Sequence, residues 1–192
     1  MTAILKVDTI QDTSGNNIIN ESSDTITIGA SGDTIALAGT TVTGITQGIT
    51  VADQWRLTAN KDGAAASTLI AENLERIDDT GYGQIGSGMT QSSGIWTFPS
   101  TGIYLILVQA TISFISQADV NAFIVTNTTT NNSTYAEVAQ AKNASTTASA
   151  NSGASVFSQY LFDVSNTSNC KVKFTTSSFA SNGTFAQGDT NS

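Results

Sequence analysis

Apolar and polar residues alternate along most of this chain, which is the pattern of β-strands with one buried face. Between residues 23 and 44 the alternating runs are very short and nearly repeat themselves. Residues 24–29 read DTITIG, residues 33–38 read DTIALA, and a shorter run, TVTG, follows at residues 41–44. The glycine-containing breaks between these runs predict turns.

The short repeats raise the question of what buries their apolar side chains. Each unit carries only two or three of them, too few for a stable sheet within one chain. We therefore expect other copies of the chain to cover them, with three chains around one axis and a short strand from each chain in every layer. The alternative is a flexible linker with chance alternation. The predicted core of the trimeric shaft is Ile26, Ile28, Ile35, Leu37 and Val42.

From residue 55 onward the alternating runs lengthen and are separated by polar turns such as NTTTNNS and SNTSN. Evenly spaced strands of this kind predict an all-β fold, either a sandwich or a jelly roll. In this setting we interpret residues 68–78, a helix-compatible stretch, as strand or loop. The predicted strands cover residues 55–59, 95–98, 102–115, 121–126, 134–141, 154–164 and 171–178.

Composition narrows the functions that this fold can serve. The chain has 192 residues, a formal net charge of −8 and no histidine. Its acidity does not suit nucleic acid or an anionic membrane surface, since both attract clustered Lys and Arg. No apolar run approaches the ~18 residues of a membrane span. The lack of histidine removes the commonest general base and zinc ligand. We therefore expect no nucleic-acid partner, no membrane insertion, no cofactor and no bound metal.

Few residues suggest catalysis. Asp78 and Asp79 are adjacent, and on an extended strand they would point to opposite faces, which suits neither a glycosidase pair nor a metal site. We interpret them as part of a solvated loop and expect no enzymatic activity. The single cysteine, Cys170, excludes an intrachain disulfide and is interpreted as a small packed residue. Trp96 and Tyr104 are interpreted as core residues.

Residues 93–112, SGIWTFPSTGIYLILVQATI, place an aromatic strand, a proline, a glycine-containing turn and a long apolar strand in succession. This order resembles the head of the complement C-one-q and tumour-necrosis-factor superfamily and its Phe-x-x-Pro-x-x-Gly-x-Tyr pattern, with the proline nearer the phenylalanine. The matching residues are Phe98, Pro99, Gly102 and Tyr104.

That resemblance covers about residues 55–192 and implies a trimeric jelly-roll head. Members of the family close the jelly roll with a final strand that carries buried aromatic residues. This chain stops at Ser192, where that strand should begin. We therefore expect the last strand to be missing from the head, either because the chain is shortened, which we favour, or because the fold lacks that strand.

The N-terminal part, ILKVDTIQDTSGNNII followed by the repeat, resembles the start of tail-fibre and other virion structural proteins of marine bacteriophages. The resemblance implies a virion-attachment segment at residues 1–22, a shaft and junction at residues 23–54 and a head at residues 55–192. The implied protein is a homotrimeric tail fibre or spike on the virion. Its N-terminus would bind other virion proteins, and its head would bind a host-surface glycan or protein.

Receptor binding is expected to rest on loops at the distal end of the head, because loops tolerate change. Exposed aromatic rings beside asparagine suit a carbohydrate surface, and Tyr82 and Tyr135 lie in polar surroundings. We favour partial burial of these rings at loops, and exposure on a carbohydrate-binding surface is the alternative. The candidate loops are residues 127–133 and 142–153, and the receptor-binding candidates are Asn131, Asn132, Tyr135 and Asn143.

Three other functions fit parts of the pattern. A capsid decoration protein would have the same architecture as a tail fibre. A secreted or spore-surface bacterial trimer could carry a similar head, although the N-terminus lacks the basic start and apolar core of a secretion signal. A small glycan depolymerase would require a carboxylate pair assembled from distant residues.

Overall fold

The computed structural model describes residues 48–63, 65–116, 118–146, 151–180 and 183–189. The chain divides into two units, Met1–Thr46 and Gln47–Ser192, and the described residues belong to the second. The predicted attachment segment and repeat shaft lie outside the described residues. So do the predicted shaft residues Ile26, Ile28, Ile35, Leu37 and Val42.

The described residues form twelve strands and no helix, and among them no segment has the length and hydrophobicity of a membrane-spanning helix. The all-β class is therefore confirmed, and residues 68–78 contain two short strands. The strands are Trp55–Leu57 (β1), Lys61–Asp62 (β2), Thr68–Leu69 (β3), Leu74–Arg76 (β4), Thr90–Ser92 (β5), Ile95–Thr97 (β6), Gly102–Phe114 (β7), Asp119–Thr129 (β8), Ala136–Ser145 (β9), Ser152–Val164 (β10), Lys171–Ser177 (β11) and Thr184–Ala186 (β12).

The strands form two main antiparallel sheets. One has the order β10-β7-β12-β2, and the other has the order β5-β6-β11-β8-β9, with β3 also paired to β11. The strands β1 and β4 form a separate pair. When β2 and then β6 to β12 are counted as strands one to eight, the sheets read 6-3-8-1 and 2-7-4-5. Because this is the order of two interlocked Greek keys, the unit is a jelly-roll sandwich.

The structure corrects the expectation that the last strand is missing. Strand β12 takes the eighth position, where it pairs with Ile112–Phe114 of β7 on one side and with β2 on the other. Thr184 and Ala186 are buried between the sheets. The sequence pattern did not predict this strand because it is only three residues long and lies in a C-terminal segment rich in Gly, Ser and Asn.

A tight turn joins β5 to β6 and positions the aromatic strand. Its central residues, Ser93 and Gly94, have φ angles of 50° and 77°, the left-handed values that two-residue hairpin turns require. A Cβ atom at Gly94 would lie 2.4 Å from the carbonyl oxygen of Ile70. Glycine is therefore needed both for the turn and for the close approach of the neighbouring loop.

Two apolar clusters fill the space between the sheets. Tyr104 packs at the edge of the second cluster, where its ring centroid lies 4.7 Å from that of Phe98. The predicted burial of Trp96 and Cys170 is confirmed. The first cluster contains Ile112, Phe114, Ala122, Ile124, Ala141, Val156, Phe179 and Ala186, and the second contains Trp96, Phe98, Phe162, Val164, Cys170 and Val172.

The core assignment can be tested with two isoleucines from one segment. Ile112 is fully buried, while Ile115 is 49% exposed. Replacing Ile112 with Ala should lower the free energy of unfolding by about 2–5 kcal/mol, because it removes packed atoms and leaves a cavity. The matched change Ile115→Ala should cost less than about 1 kcal/mol. Urea unfolding followed by tryptophan fluorescence measures both, and equal losses would contradict the core assignment.

Candidate functional site

The outer face of the β7–β10 pair carries large apolar side chains in contact with solvent. Leu105 lies opposite Leu161 in the register of these strands, and Leu107 lies opposite Gln159. We call the five exposed residues the apolar sheet face. They are Ile103 (68% exposed), Leu105 (55%), Leu107 (56%), Phe157 (57%) and Leu161 (65%).

This face follows from the sequence of β7. In a strand with one solvated face, apolar and polar residues alternate. The run IYLILV at residues 103–108 is apolar at every position, which is typical of a strand covered on both faces. Tyr104, Ile106 and Val108 pack against the core clusters, while Ile103, Leu105 and Leu107 face outward. Contiguous exposed apolar patches of this kind mark interaction surfaces.

The opposite sheet carries lysines on its outer face. Val172 of β11 packs in the core, so its neighbours Lys171 and Lys173 point to the outside. Ala141 of β9 is likewise in the core, which places Lys142 on the outer face. The sandwich therefore has one apolar and one lysine-bearing outer surface.

The predicted receptor-binding residues do not form one surface. Asn131, Asn132 and Tyr135 lie in the connection that follows β8, whereas Asn143 lies near the far end of β9, opposite Ala122. Eight residues of extended strand, about 27 Å at 3.4 Å per residue, separate Tyr135 from Asn143. The prediction that residues 127–133 and 142–153 share one distal end is wrong, because β9 carries the chain from one end of the sandwich to the other.

Asn131 builds the connection between β8 and β9. Its Oδ1 atom accepts hydrogen bonds from the Oγ1 of Thr129 (2.9 Å), the backbone N–H of Ser133 (3.0 Å) and the backbone N–H of Thr134 (2.9 Å). Asn132 follows in the left-handed region with φ of 57°. Its backbone N–H donates to the carbonyl oxygen of Asn169 at 2.9 Å, so two neighbouring loops are held together.

Asn143 also has a structural partner. Its Nδ2 donates to the carbonyl oxygen of Ile112 at 2.9 Å, and its Oδ1 accepts from the backbone N–H of Ala144 at 2.8 Å. The side chain thereby links β9 of one sheet to β7 of the other.

Tyr135 is half-buried. The Nζ of Lys173 lies 4.1 Å from the centroid of its ring, within the range of a cation–π contact. Burial raises the pKa of the Tyr135 hydroxyl above its ordinary value. One face of this ring is therefore occupied by lysine.

A buried carboxylate that the sequence reading missed organises the start of the sandwich. The side chain of Asp53 is 2% exposed. Its Oδ1 accepts from Arg76 Nε (2.9 Å) and from the hydroxyl of Tyr82 (2.8 Å). Its Oδ2 accepts from Trp55 Nε1 (3.0 Å) and from the backbone N–H of Met89 (2.7 Å). The Arg76 guanidinium also lies 4.8 Å from the Trp55 ring centroid.

These contacts set the ionisation of Asp53. Burial by itself raises the pKa of the carboxyl, but the hydrogen bonds from Arg76, Trp55, Met89 and Tyr82 outweigh burial and hold the pKa at about 2. Tyr82 is half-buried, in agreement with its interpretation as a partly buried loop residue, and its hydroxyl donates to Asp53. No sequence motif connects these residues, because they come from four separate segments.

A cavity of about 340 Å³ opens beside this carboxylate. Protein donors already occupy both oxygens of Asp53, so it presents no free acceptor to a ligand. The cluster instead ties the segment that enters β1 to β4 and to the loop before β5. Ala52, Asp53, Gln54, Gly81, Tyr82 and Gly83 line the cavity.

Asp78 and Asp79 are exposed, as predicted for a loop, but they do not point apart. Asp78 binds the Nη2 of Arg56 at 2.8 Å, and Asp79 binds its Nη1 at 3.0 Å. Glu75 binds the Nε of the same guanidinium at 3.0 Å. The opposite-face geometry applies only to an extended strand, and β4 ends at Arg76, so both aspartates lie beyond it.

Within the described ranges, no group of three or more acidic, histidine or cysteine side chains is arranged to hold a metal ion. The three carboxylates around Arg56 are each paired with it, and the arrangement supports the β1–β4 pair. Neither this cluster nor Asp53 offers an unpaired acid and base for hydrolysis.

Comparison with known proteins gives little beyond this geometry. No family model and no curated protein matches the chain. Among solved structures, murine APRIL in a crystal structure at pH 5.0 is 13% identical, with a TM-score of 0.44. The match covers 70% of this chain and 96% of the APRIL chain.

The Asp53 cluster predicts a pH-dependent contribution to stability. Replacing Asp53 with Asn should lower the free energy of unfolding near neutral pH by about 2–3 kcal/mol, through loss of charge-assisted hydrogen bonds. Because the folded pKa is about 2 and the ordinary value is 3.8, the wild-type contribution is complete above pH 3.8 and is lost as the pH falls toward 2.

Urea unfolding at several pH values measures this effect. Between about pH 4 and pH 2, the wild type should lose stability that Asp53→Asn has already lost, so the two curves should converge. The matched control Asp62→Asn changes an exposed carboxylate and should follow the wild type. Parallel curves for wild type and Asp53→Asn would contradict the assignment.

Proposed function

We propose that this protein is a non-enzymatic structural homotrimer whose subunits pack through the apolar sheet face. The observation that carries the proposal is the row of five large apolar side chains on the outside of β7 and β10, each at least 55% exposed. Full burial of a Leu, Ile or Phe side chain contributes about 1.5–3 kcal/mol. Burial of this face in the assembly therefore contributes several kilocalories per mole of free energy per subunit.

A cyclic trimer suits this surface and the N-terminal repeats together. In a ring, one patch of each subunit packs on a different patch of the next, so the apolar face need not be self-complementary. The short repeat strands are also expected to need three chains around one axis, because one chain cannot bury their apolar side chains.

We further propose that the trimer is a bacteriophage tail fibre or spike located on the virion. The support is the sequence order of an attachment-like opening, short β-repeats and a jelly-roll head. The N-terminal segment would bind other virion proteins, and the head would bind a glycan or protein on the host surface. Three heads on one shaft multiply weak individual contacts. A capsid decoration protein is the alternative, and imaging of intact particles distinguishes the two by position.

The assembly proposal is tested by mass in solution. The wild type should have about three times the 19.9 kDa mass of the chain by light scattering. The double change Leu105→Asp with Leu161→Asp places two charges at the centre of the apolar sheet face and should give monomers, because buried unpaired charges are costly.

Val120→Asp is the matched control, since Val120 is 53% exposed but belongs to β8 in the other sheet. It should remain trimeric. Circular dichroism confirms that each variant keeps its strands. A monomeric wild type, or a double variant that stays trimeric, would show that this face does not hold the subunits together.

A further inference from the structure

The lysines of this acidic protein are concentrated on one surface. Among the described residues, Lys142, Lys171 and Lys173 lie on the outer face of the sheet that contains β11, and only Lys61 lies elsewhere, on β2. The ion pairs of the described residues involve Arg56 and Arg76, so none of these lysines is neutralised by a carboxylate there.

Lys171 is buried, and no carboxylate of the described residues forms an ion pair with it. The residue is 9% exposed, and its Nζ donates to the carbonyl oxygen of Thr167 at 2.7 Å. An ammonium group has three donors, and a charge removed from water is costly unless it is paired. An anion that binds beside this Nζ would supply both the missing charge and an acceptor.

Lys173 lies on the same face of the same strand, two residues further on, which places its Cα about 7 Å from that of Lys171. The ammonium group of Lys173 lies over the ring of Tyr135. The connection that contains Tyr135 is itself fixed, by Asn131 within the loop and by the Asn132–Asn169 backbone bond. Two cations and several amide groups are thus held together on a polar surface. We call Lys171, Lys173, Tyr135, Asn131 and Asn132 the lysine–tyrosine site.

We propose that the lysine–tyrosine site binds the acidic groups of a polyanionic polysaccharide. This inference rests on the proposed role of the head in host-surface binding and names the class of ligand. Carboxylate or sulfate groups would contact the two lysines, and a sugar hydroxyl would contact the Nδ2 of Asn131, since its Oδ1 already accepts hydrogen bonds from the loop. The site lies on the sheet opposite the apolar sheet face and shares no residue with it.

The charge pattern favours a polysaccharide over nucleic acid. Double-stranded DNA carries one charge per ~1.7 Å, and binding it requires many cations. A chain with net charge −8 repels such a dense polyanion. The site contains only two lysines, so it suits a polymer whose charges are separated by whole sugar units better than one with a charge every ~1.7 Å. The trimer would present three such sites to one polymer, which raises the apparent affinity.

The test uses the full-length protein and three immobilised polymers: polygalacturonate, dextran sulfate and neutral dextran. The wild type should bind at least one acidic polymer and not neutral dextran, with an affinity that falls as salt increases. Lys173→Gln should weaken binding about tenfold or more, the effect of losing a charged hydrogen bond. Lys61→Gln removes the same charge from the other sheet and should bind within about twofold of the wild type.

Light scattering of every variant separates this inference from the assembly proposal. A trimeric wild type that binds neither acidic polymer would overturn the ligand class and leave the trimer standing. Equal losses in Lys173→Gln and Lys61→Gln would show diffuse attraction and reject the site. Binding to single-stranded DNA is measured in the same assay. Tighter binding to DNA than to both acidic polysaccharides would reject a glycan ligand. Because Lys173 is half-exposed, its replacement should not impair folding.

Discussion

The structure depends on two thirteen-residue strands, β7 and β10, that pair along their whole length. Their inner residues build the interior of the jelly roll, and the second sheet covers them. Their outer residues include Ile103, Leu105 and Leu161, which a single chain leaves in water. A strand that is apolar on both faces must be covered on both. This requirement leads from the sequence of β7 to the proposed assembly, because the missing cover must come from outside the described part of one chain.

The segments before the sandwich are held by charge as well as by apolar packing of Trp55, Leu57 and Leu74 on the core clusters. Asp53 binds four different side chains or backbone groups from separate parts of the chain, and Arg56 binds three carboxylates around the β1–β4 pair. The pair itself has three residues per strand and is too short to be stable alone. The two charged clusters differ in how much they contribute to the stability of the fold. Asp53 is buried and fully hydrogen-bonded, while the partners of Arg56 are solvent-exposed, so its ion pairs contribute less.

The two outer faces of the sandwich suit different partners. An apolar face gains free energy when another protein surface removes it from water. A lysine-bearing face with fixed amide groups remains favourable in water and gains when an anion binds. The apolar sheet face and the proposed polysaccharide site therefore lie on opposite sheets and share no residue. This division also explains why an acidic chain carries most of its described lysines on one sheet.

The sequence by itself determined the all-β class, the positions of the long strands and the burial of Trp96 and Cys170, because period-two alternation is a local property of the chain. It also identified Tyr135 as a receptor-binding candidate, although it did not predict the contact between the Tyr135 ring and Lys173. Tertiary structure alone decided that Asn131 and Asn143 lie at opposite ends of the sandwich and that Tyr82 binds Asp53. It likewise decided that Asp78 and Asp79 meet at Arg56 and that three residues form the eighth strand. The physical reason is that each of these contacts joins segments far apart in sequence. Their pairing is set by the order of strands in two sheets, which no local pattern encodes.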